Sequence, residues 1–454
     1  MAIIESKMSP VEIAEYREQI LRNNHIDASD YVSFNVKRGL RNADGTGVMA
    51  GMTRVCAVEG YYINDGERIP KEGRLTYRGI NVEDIVNACV AENRFGFEEV
   101  VWLLLFGSLP TQTQLTKFRE VLSVCRELPD DFIEDMIMKA PSPDIMNKMA
   151  RSVLALYSYD DNPDSTELEN VIRQCINVIA QLPAIMVYAY QVKRRHYYHK
   201  SMYIHQMKPE HTTAQTIMRS IRPDKAFTDE EAKLLDLCLM LHAEHGGGNN
   251  SAFATRVLSS SGTDTYAAIA AGIGALKGPK HGGANIKVSQ MVDFIKNDVP
   301  DINNEGMVAD YLKKIIHKEA GDGSGLIYGM GHAVYTLSDP RARILRAKAG
   351  EFATGTEFEK EYKLLQIIEK LTPEIFADEK KSDKFICANV DLYSGLVYKM
   401  LGVPQDLFTP IFTVARVAGW SAHRIEELLT GGRIIRPAYK NVNGKIDYVP
   451  LTER

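Results

Sequence analysis

The sequence predicts an all-α protein with one small β element near its N-terminus. Apolar residues recur at three- and four-residue spacing along most of the chain, helix start and stop signals bracket several of those stretches, and strand-like runs are sparse. Ser9-Pro10-Val11-Glu12 is a capping box with proline at the first helical position, and it opens a helix towards Asn24. Behind Ser165 and Thr166, the residues Leu168, Val171, Ile172, Cys175, Ile176 and Ile179 form one apolar face. Leu364, Ile367, Ile368 and Leu371 repeat the pattern, and Pro373 is expected to stop that helix. The run from Val100 to Phe106 ends at Gly107 and Pro110 and reads as a buried helix, while Pro279 closes a small-residue helix over Ala267 to Leu276. The best strand signal spans Thr53 to Ile69, where Asn64-Asp65-Gly66 can turn a hairpin. Two segments read as linkers: Gln191 to Lys225, whose basic and aromatic start (Lys193 to Lys200) suggests a solvated surface turn, and Gly350 to Thr356.

At 454 residues the chain is long enough for two or three folding units. Charged residues at 25% and hydrophobic ones at 45% are the balance of an ordinary globular protein, and a formal net charge of −5 argues against a nucleic-acid partner. The six cysteines lie far apart without a CxxC pair, which fits a reducing compartment. No stretch approaches the ~20 consecutive apolar residues of a membrane span, and the first residues lack the apolar core of a signal peptide, so a cytoplasmic location is expected.

Four glycine-rich interruptions of helical sequence surround ionisable groups in the second half. In His242-Ala243-Glu244-His245-Gly246-Gly247-Gly248, two histidines flank a carboxylate. A metal site is one reading, but the spacing is not that of HExxH and catalytic zinc usually recruits three protein ligands; buried histidines at a helix C-terminus are the other. Gly278-Pro279-Lys280-His281-Gly282-Gly283 places His281 beside the start of the next helix, where the macrodipole disfavours a positive charge. Gly329-Met330-Gly331-His332 is followed by Asp339-Pro340-Arg341; the glycines can wrap a planar ligand, and an arginine fork suits a carboxylate. Last comes Asn389-Val390-Asp391, an aspartate in apolar context and so a candidate general base, with Arg416 and Arg436 beyond it.

Taken in order, these clusters resemble the citrate synthase family. The stretches that carry the likeness are HAEHGGGNNS, GPKHGGAN, GMGHAVY with DPR, NVDLYSG, the segment from Arg416 to His423, and Arg436-Pro437, with LTYRG (75–79) upstream. The resemblance implies an all-α, citrate-synthase-like two-domain homodimer. Its large domain would comprise residues 1–281 and 392–454, and its small domain 282–391. It implies acetyl-CoA and oxaloacetate as substrates, with no metal and no cofactor. Carried over by position, Asp391 takes a methyl proton from acetyl-CoA, His281 hydrogen-bonds the thioester oxygen, and His332 polarises the oxaloacetate carbonyl. Arg341, Arg416 and Arg436 hold the carboxylates with His245, the last arginine reaching in from the partner subunit. The loop with Ile327, Gly329 and Gly331 binds CoA. One departure stands out: places where many members carry a basic residue towards the CoA phosphates hold Ala333 and Thr336, leaving Lys280, Arg343 and Arg194 as candidates. A 2-methylcitrate synthase acting on propionyl-CoA shares every motif, because one methylene changes binding by only ~1–3 kcal/mol. A metal-dependent hydrolase and a non-catalytic binding protein are the readings from other classes.

Overall fold

The structure, a computed structural model, describes residues 8–42, 44–382, 384–430 and 432–454. They divide into two units, one of Met1–Ala50 with Arg436–Arg454 and one of Gly51–Ile435. In the first, α1 (Pro10–Asn23) starts at the expected capping box, with the Ser9 hydroxyl accepting from the Glu12 amide and the Glu12 carboxylate accepting from Ser9; α2 (Ala28–Ser33) follows.

The second unit opens with the β element. Strands β1 (Cys56–Asn64) and β2 (Glu67–Tyr77) pair antiparallel from Cys56↔Tyr77 to Asn64↔Glu67, and β3 (Ile80–Asn81) adds a short edge. Asp65 and Gly66 both take positive φ (49° and 84°), the primed turn that suits the twist of a tight hairpin. The remaining helices are α3 (Val82–Ala91), α4 (Phe97–Phe106), α5 (Gln112–Cys125), α6 (Ile145–Leu156), α7 (Leu168–Tyr198), α8 (Thr213–Ile221), α9 (Asp229–His242) and α10 (Asn250–Ser260). They continue with α11 (Thr265–Lys277), α12 (Ala284–Asp298), α13 (Glu305–Ile316), α14 (Pro340–Ala353), α15 (Glu359–Lys380), α16 (Asp391–Met400) and α17 (Phe408–Leu429). The centre of the core is α17, packed against α7, α10, α11, α4 and α9, with Trp420 and Arg424 fully buried.

Two expectations fail, for one shared reason. The presumed surface turn after Gln191 is the last stretch of α7: Gln191 is fully buried, Lys193 and Tyr198 both bond Asp406, and only beyond His199 does the chain leave the helix. That makes α7 long and apolar enough to cross a membrane, yet most of its apolar window is buried in protein, so it is a core helix. Pro373 does not stop α15, which runs on to Lys380 because Leu364, Leu365, Ile368, Thr372 and Ile375 keep one buried face. In each case tertiary burial outweighs a local breaker or a polar run.

The hairpin and the loop before α14 are fitted together by glycine. A Cβ on Gly60 would stand 2.5 Å from Tyr335 Cα, and one on Gly73 would stand 2.0 Å from the Ser338 carbonyl oxygen. The Thr336 hydroxyl bonds the carbonyl of Gly60, and the Gly73 amide donates to Ser338 Oγ at 3.1 Å. Gly282 plays a similar part between α11 and α12, where a Cβ would meet the Leu276 carbonyl oxygen at 2.1 Å. Backbone against backbone has no cheap escape, so Gly282→Ala is expected to cost about 2 kcal/mol or more of folding free energy, read by urea denaturation.

Candidate active site

Four residues of α17, Arg416, Trp420, His423 and Glu427, are spaced four, three and four apart and form one stripe facing the glycine-rich loops. Each meets a different loop or helix start. Arg416 Nε donates to the His242 carbonyl at 2.6 Å, Trp420 Nε1 to Ser251 Oγ at 3.1 Å, His423 bonds Glu244 at 2.9 Å, and Glu427 accepts from Arg256 at 2.8 Å. The stripe thus organises the end of α9 and the start of α10, between which His245 lies.

The loop 325–339 supplies the facing wall. Gly329 and Gly331 both have positive φ (82° and 88°), and the chain around them zips onto the segment leading to Asp391. Gly331 N donates to the Cys387 carbonyl at 2.7 Å, Asn389 N to the Gly329 carbonyl at 2.9 Å, and Asn389 Nδ2 to the Gly331 carbonyl at 3.0 Å. This lattice sets His332 and Asp391 from one piece of backbone, and Asp391 heads α16 with its amide bonded to Asn389 Oδ1.

His332 packs on Tyr335 with ring centroids 4.5 Å apart and meets His245 edge-on at 5.0 Å. Its Nδ1 accepts from the amides of Val334 and Tyr335, both at 3.0 Å. Amide N–H groups only donate, so that nitrogen carries a lone pair and the neutral ring holds its proton on Nε2. His245 Nε2 lies 3.3 Å from the Tyr335 hydroxyl, and His281 Nε2 lies 3.0 Å from Ser251 Oγ.

The charges follow from burial. Arg341 and Arg416 are nearly inaccessible to solvent. Arg341 gives its Nε and one Nη2 hydrogen to Asp339 at 3.0 and 2.7 Å, which leaves the Nη1/Nη2 edge of its fork for another carboxylate. Arg416 keeps a buried Nη1 without a hydrogen-bond partner; burial lowers its pKa, and Glu244 is the main charge working the other way. Burial first, then the charges of Arg341, His332 and Arg416, hold His245 well below the usual imidazole range. The pKa of His281 falls to about 4, again through burial and then Arg416. Burial also raises Asp391 to about 6, although Arg341 and Arg416 pull it down. The histidines are therefore neutral hydrogen-bonding groups, the aspartate is a base poised near neutrality, and the unsatisfied guanidinium donors ask for carboxylates.

Comparison with known proteins decides between the readings that share these features. The profile for "Citrate synthase, C-terminal domain" matches residues 43–438. The chain belongs to the citrate synthase family. It is 32% identical over 410 residues to the citrate synthase of Synechocystis sp., covering 90% of this chain and 92% of that one. It is also 32% identical over 396 residues to 2-methylcitrate synthase 1 of Corynebacterium glutamicum, covering 87% and 96%. A Thermoplasma acidophilum citrate synthase, solved as a ternary complex with carboxymethyl coenzyme A and oxaloacetate, superposes with a TM-score of 0.74 at 27% identity over 92% of this chain and 99% of that one.

Of the residues singled out in the sequence, the structure brings together His245, His281, His332, Arg341, Asp391 and Arg416. Gly329 and Gly331, with the buried Ile327, form the loop beside them. Arg436 belongs to the other unit and is not among the residues assembled here. Among the proposed phosphate ligands, Arg343 pairs with Glu83 at 2.8 Å and Arg194 stacks over Tyr203. Several contributors lie within the motif stretches but were given no role there: Tyr335, Ser251 with Trp420, and Asp339. Asp339 carried a signal in the sequence, since an aspartate before Pro-Arg at a helix start is an N-cap; Ser251 and Trp420 stand in the quoted stretches, but nothing there signalled that they meet, because the contact is long-range. Among the described residues no three His, Cys, Asp or Glu side chains converge as metal ligands, and His242 is buried against Phe412.

The raised pKa of Asp391 has a stability consequence. The folded carboxyl binds its proton more tightly than the unfolded one, so ionising it costs folded-state stability, in full above about pH 6. Asp391→Asn is therefore expected to stabilise the protein at pH 7.5 by about 1–2 kcal/mol, with the gain vanishing below about pH 4, where both states are protonated; urea titrations at the two pH values read it.

Proposed function

We propose that this protein condenses acetyl-CoA with oxaloacetate and water to give citrate and free CoA. The observation that carries the reading is the convergence of one near-neutral carboxylate, Asp391, with neutral histidines and two buried guanidinium groups that still have donors to give. The methyl group of a thioester is a weak carbon acid, and a base with a pKa of about 6 can take its proton only while the forming enolate oxygen is stabilised. His281 supplies that stabilisation when the single hydrogen of the Ser251 hydroxyl turns from Asn249 Oδ1, 2.8 Å away, to His281 Nε2; the imidazole proton then sits on Nδ1, facing the thioester. His332 Nε2–H points the electrophile, bonding the oxaloacetate keto oxygen as the new carbon–carbon bond turns it into an alkoxide. Water then cleaves the citryl thioester, releasing CoA. Arg341 through its remaining edge, Arg416 through Nη1, and His245 hold the oxaloacetate carboxylates. The loop of Ile327, Gly329 and Gly331 receives CoA, and closure of residues 282–391 over the substrates excludes water.

Propionyl-CoA is the specific competitor, since relatives of both names match over most of the chain. Steady-state rates with both thioesters are the test: kcat/KM for acetyl-CoA is expected to exceed that for propionyl-CoA by about ten-fold or more. The reverse order would make the protein a 2-methylcitrate synthase. Asp391→Asn should lower kcat by roughly 10²–10⁴-fold while oxaloacetate still binds, and the wild-type rate should fall on acidification with a midpoint near the pKa of about 6. A variant with near-normal turnover removes Asp391 from the mechanism.

The protein is proposed to work as a homodimer in which Arg436 completes the neighbouring site. Its place in a C-terminal stretch outside the unit that holds the other site residues supports this. Inactive Asp391→Asn and Arg436→Leu chains, unfolded and refolded together, should recover about one quarter of wild-type activity, because about half the dimers are hybrids and each hybrid holds one intact site. Hybrid dimers confirmed by native mass spectrometry but inactive would place Arg436 in cis.

A further inference from the structure

Behind the proposed oxaloacetate site lies a line of buried polar groups that the reaction itself does not touch. His423, fully buried on α17, sits between Glu244 and Arg256. Arg256 points Nε and Nη2 at His423 Nδ1, 3.1 and 2.7 Å away. A guanidinium has donors and no acceptor, so Nδ1 must offer a lone pair and the ring proton must be on Nε2, 2.9 Å from Glu244 Oε1. The opposite tautomer would turn an N–H onto an N–H and leave Glu244 without that donor. Arg256 is itself anchored by Glu426 and by Glu427 at 2.8 Å, and Glu426 accepts from the Arg54 amide at 2.7 Å, where the chain enters β1.

The other end of the line reaches the site. Glu244 Oε1 accepts the Gly246 amide at 2.5 Å, and that amide belongs to the peptide leaving His245. Gly246 has φ +90°, and a Cβ on Gly247 would stand 3.2 Å from both Arg256 Nε and His423 Cε1, so the turn is moulded onto the buried pair. Glu244 is also the main counter-charge of Arg416.

We infer that His423 is a positioning residue: in its Nε2–H tautomer it holds Glu244, which fixes the peptide after His245 and so aims that ring at the substrate. The inference deepens the oxaloacetate reading and rests on it. The direction of each hydrogen bond is dictated from the Arg256 end, which makes the relay sensitive to which atoms donate and not merely to size.

Two variants separate these. His423→Gln can accept from Arg256 and donate to Glu244, whereas His423→Asn can accept from Arg256 but falls short of Glu244. Oxaloacetate Kd by calorimetry and its KM are expected to stay within about three-fold of wild type in the glutamine variant and to rise about ten-fold or more in the asparagine variant, with kcat at saturation changing less. Equal affinities in wild type and a folded His423→Asn variant overturn the inference. Ring-labelled ¹⁵N-histidine NMR on the wild-type protein reads the tautomer directly, with only the conservative His423→Gln variant needed for assignment: an Nε2–H signal lost in that variant is expected, and an Nδ1–H or doubly protonated ring overturns the relay. Failure of the functional reading would look different, as wild-type protein that forms no citrate while the tautomer is as assigned.

Discussion

Two buried guanidinium groups without full compensation set the conditions for the rest of the site. Arg341 has Asp339 as a close partner, but among the described residues Arg416 has no salt-bridge partner at contact distance and keeps an unpaired Nη1. Burying such charges is costly unless something pairs with them, which is the ground for proposing a carboxylate ligand here. The same positive field, added to burial, strips the neighbouring histidines of their protons. It also competes with burial at Asp391, where burial wins and a usable base results. One electrostatic arrangement thus favours a negatively charged ligand, keeps the histidines neutral and tunes the carboxylate.

The scaffold delivers these groups through close backbone approaches more than through side-chain packing. The small hairpin, a minor part of the helical fold, seats its Gly60 and Gly73 against the loop from Val334 to Ser338 and so fixes the stacked pair His332–Tyr335. The paired segments 329–331 and 387–389 then lock the position of Asp391 to that of His332. At Gly60, Gly73 and Gly329 a Cβ would stand within 3 Å of its neighbour, and Gly329 and Gly331 also take positive φ, so glycine is required at these points of the scaffold.

Much of this was legible in the sequence, and the parts that were not share a cause. Periodicity located several of the helices, the Asn64-Asp65-Gly66 turn located the hairpin, and the ordered motifs singled out His245, His281, His332, Arg341, Asp391 and Arg416, which the structure brings together. Local reasoning failed where a contact from far along the chain decided the outcome. Lys193 and Tyr198 looked solvated until Asp406, some two hundred residues away, proved to bind both. Pro373 looked terminal, but the helix face around it is buried. The causes of the pKa shifts behaved likewise: His281 was expected to stay neutral because of a helix N-terminus, whereas burial is the larger cause.

Two histidines show how the fold settles proton positions without spending charge. At His332, two backbone amides face Nδ1; at His423, a guanidinium does. Both kinds of partner only donate, so in each ring the proton is driven to Nε2, towards the proposed substrate carbonyl in one case and inward to Glu244 in the other. His281 differs, because its Ser251 partner can donate or accept. The ring proposed to stabilise the transient enolate is therefore the one whose tautomer its partner leaves open, while the rings that orient groups are fixed by partners that cannot turn. That division follows from the chemistry of the partners alone: amides and arginine impose a direction, and serine allows a choice.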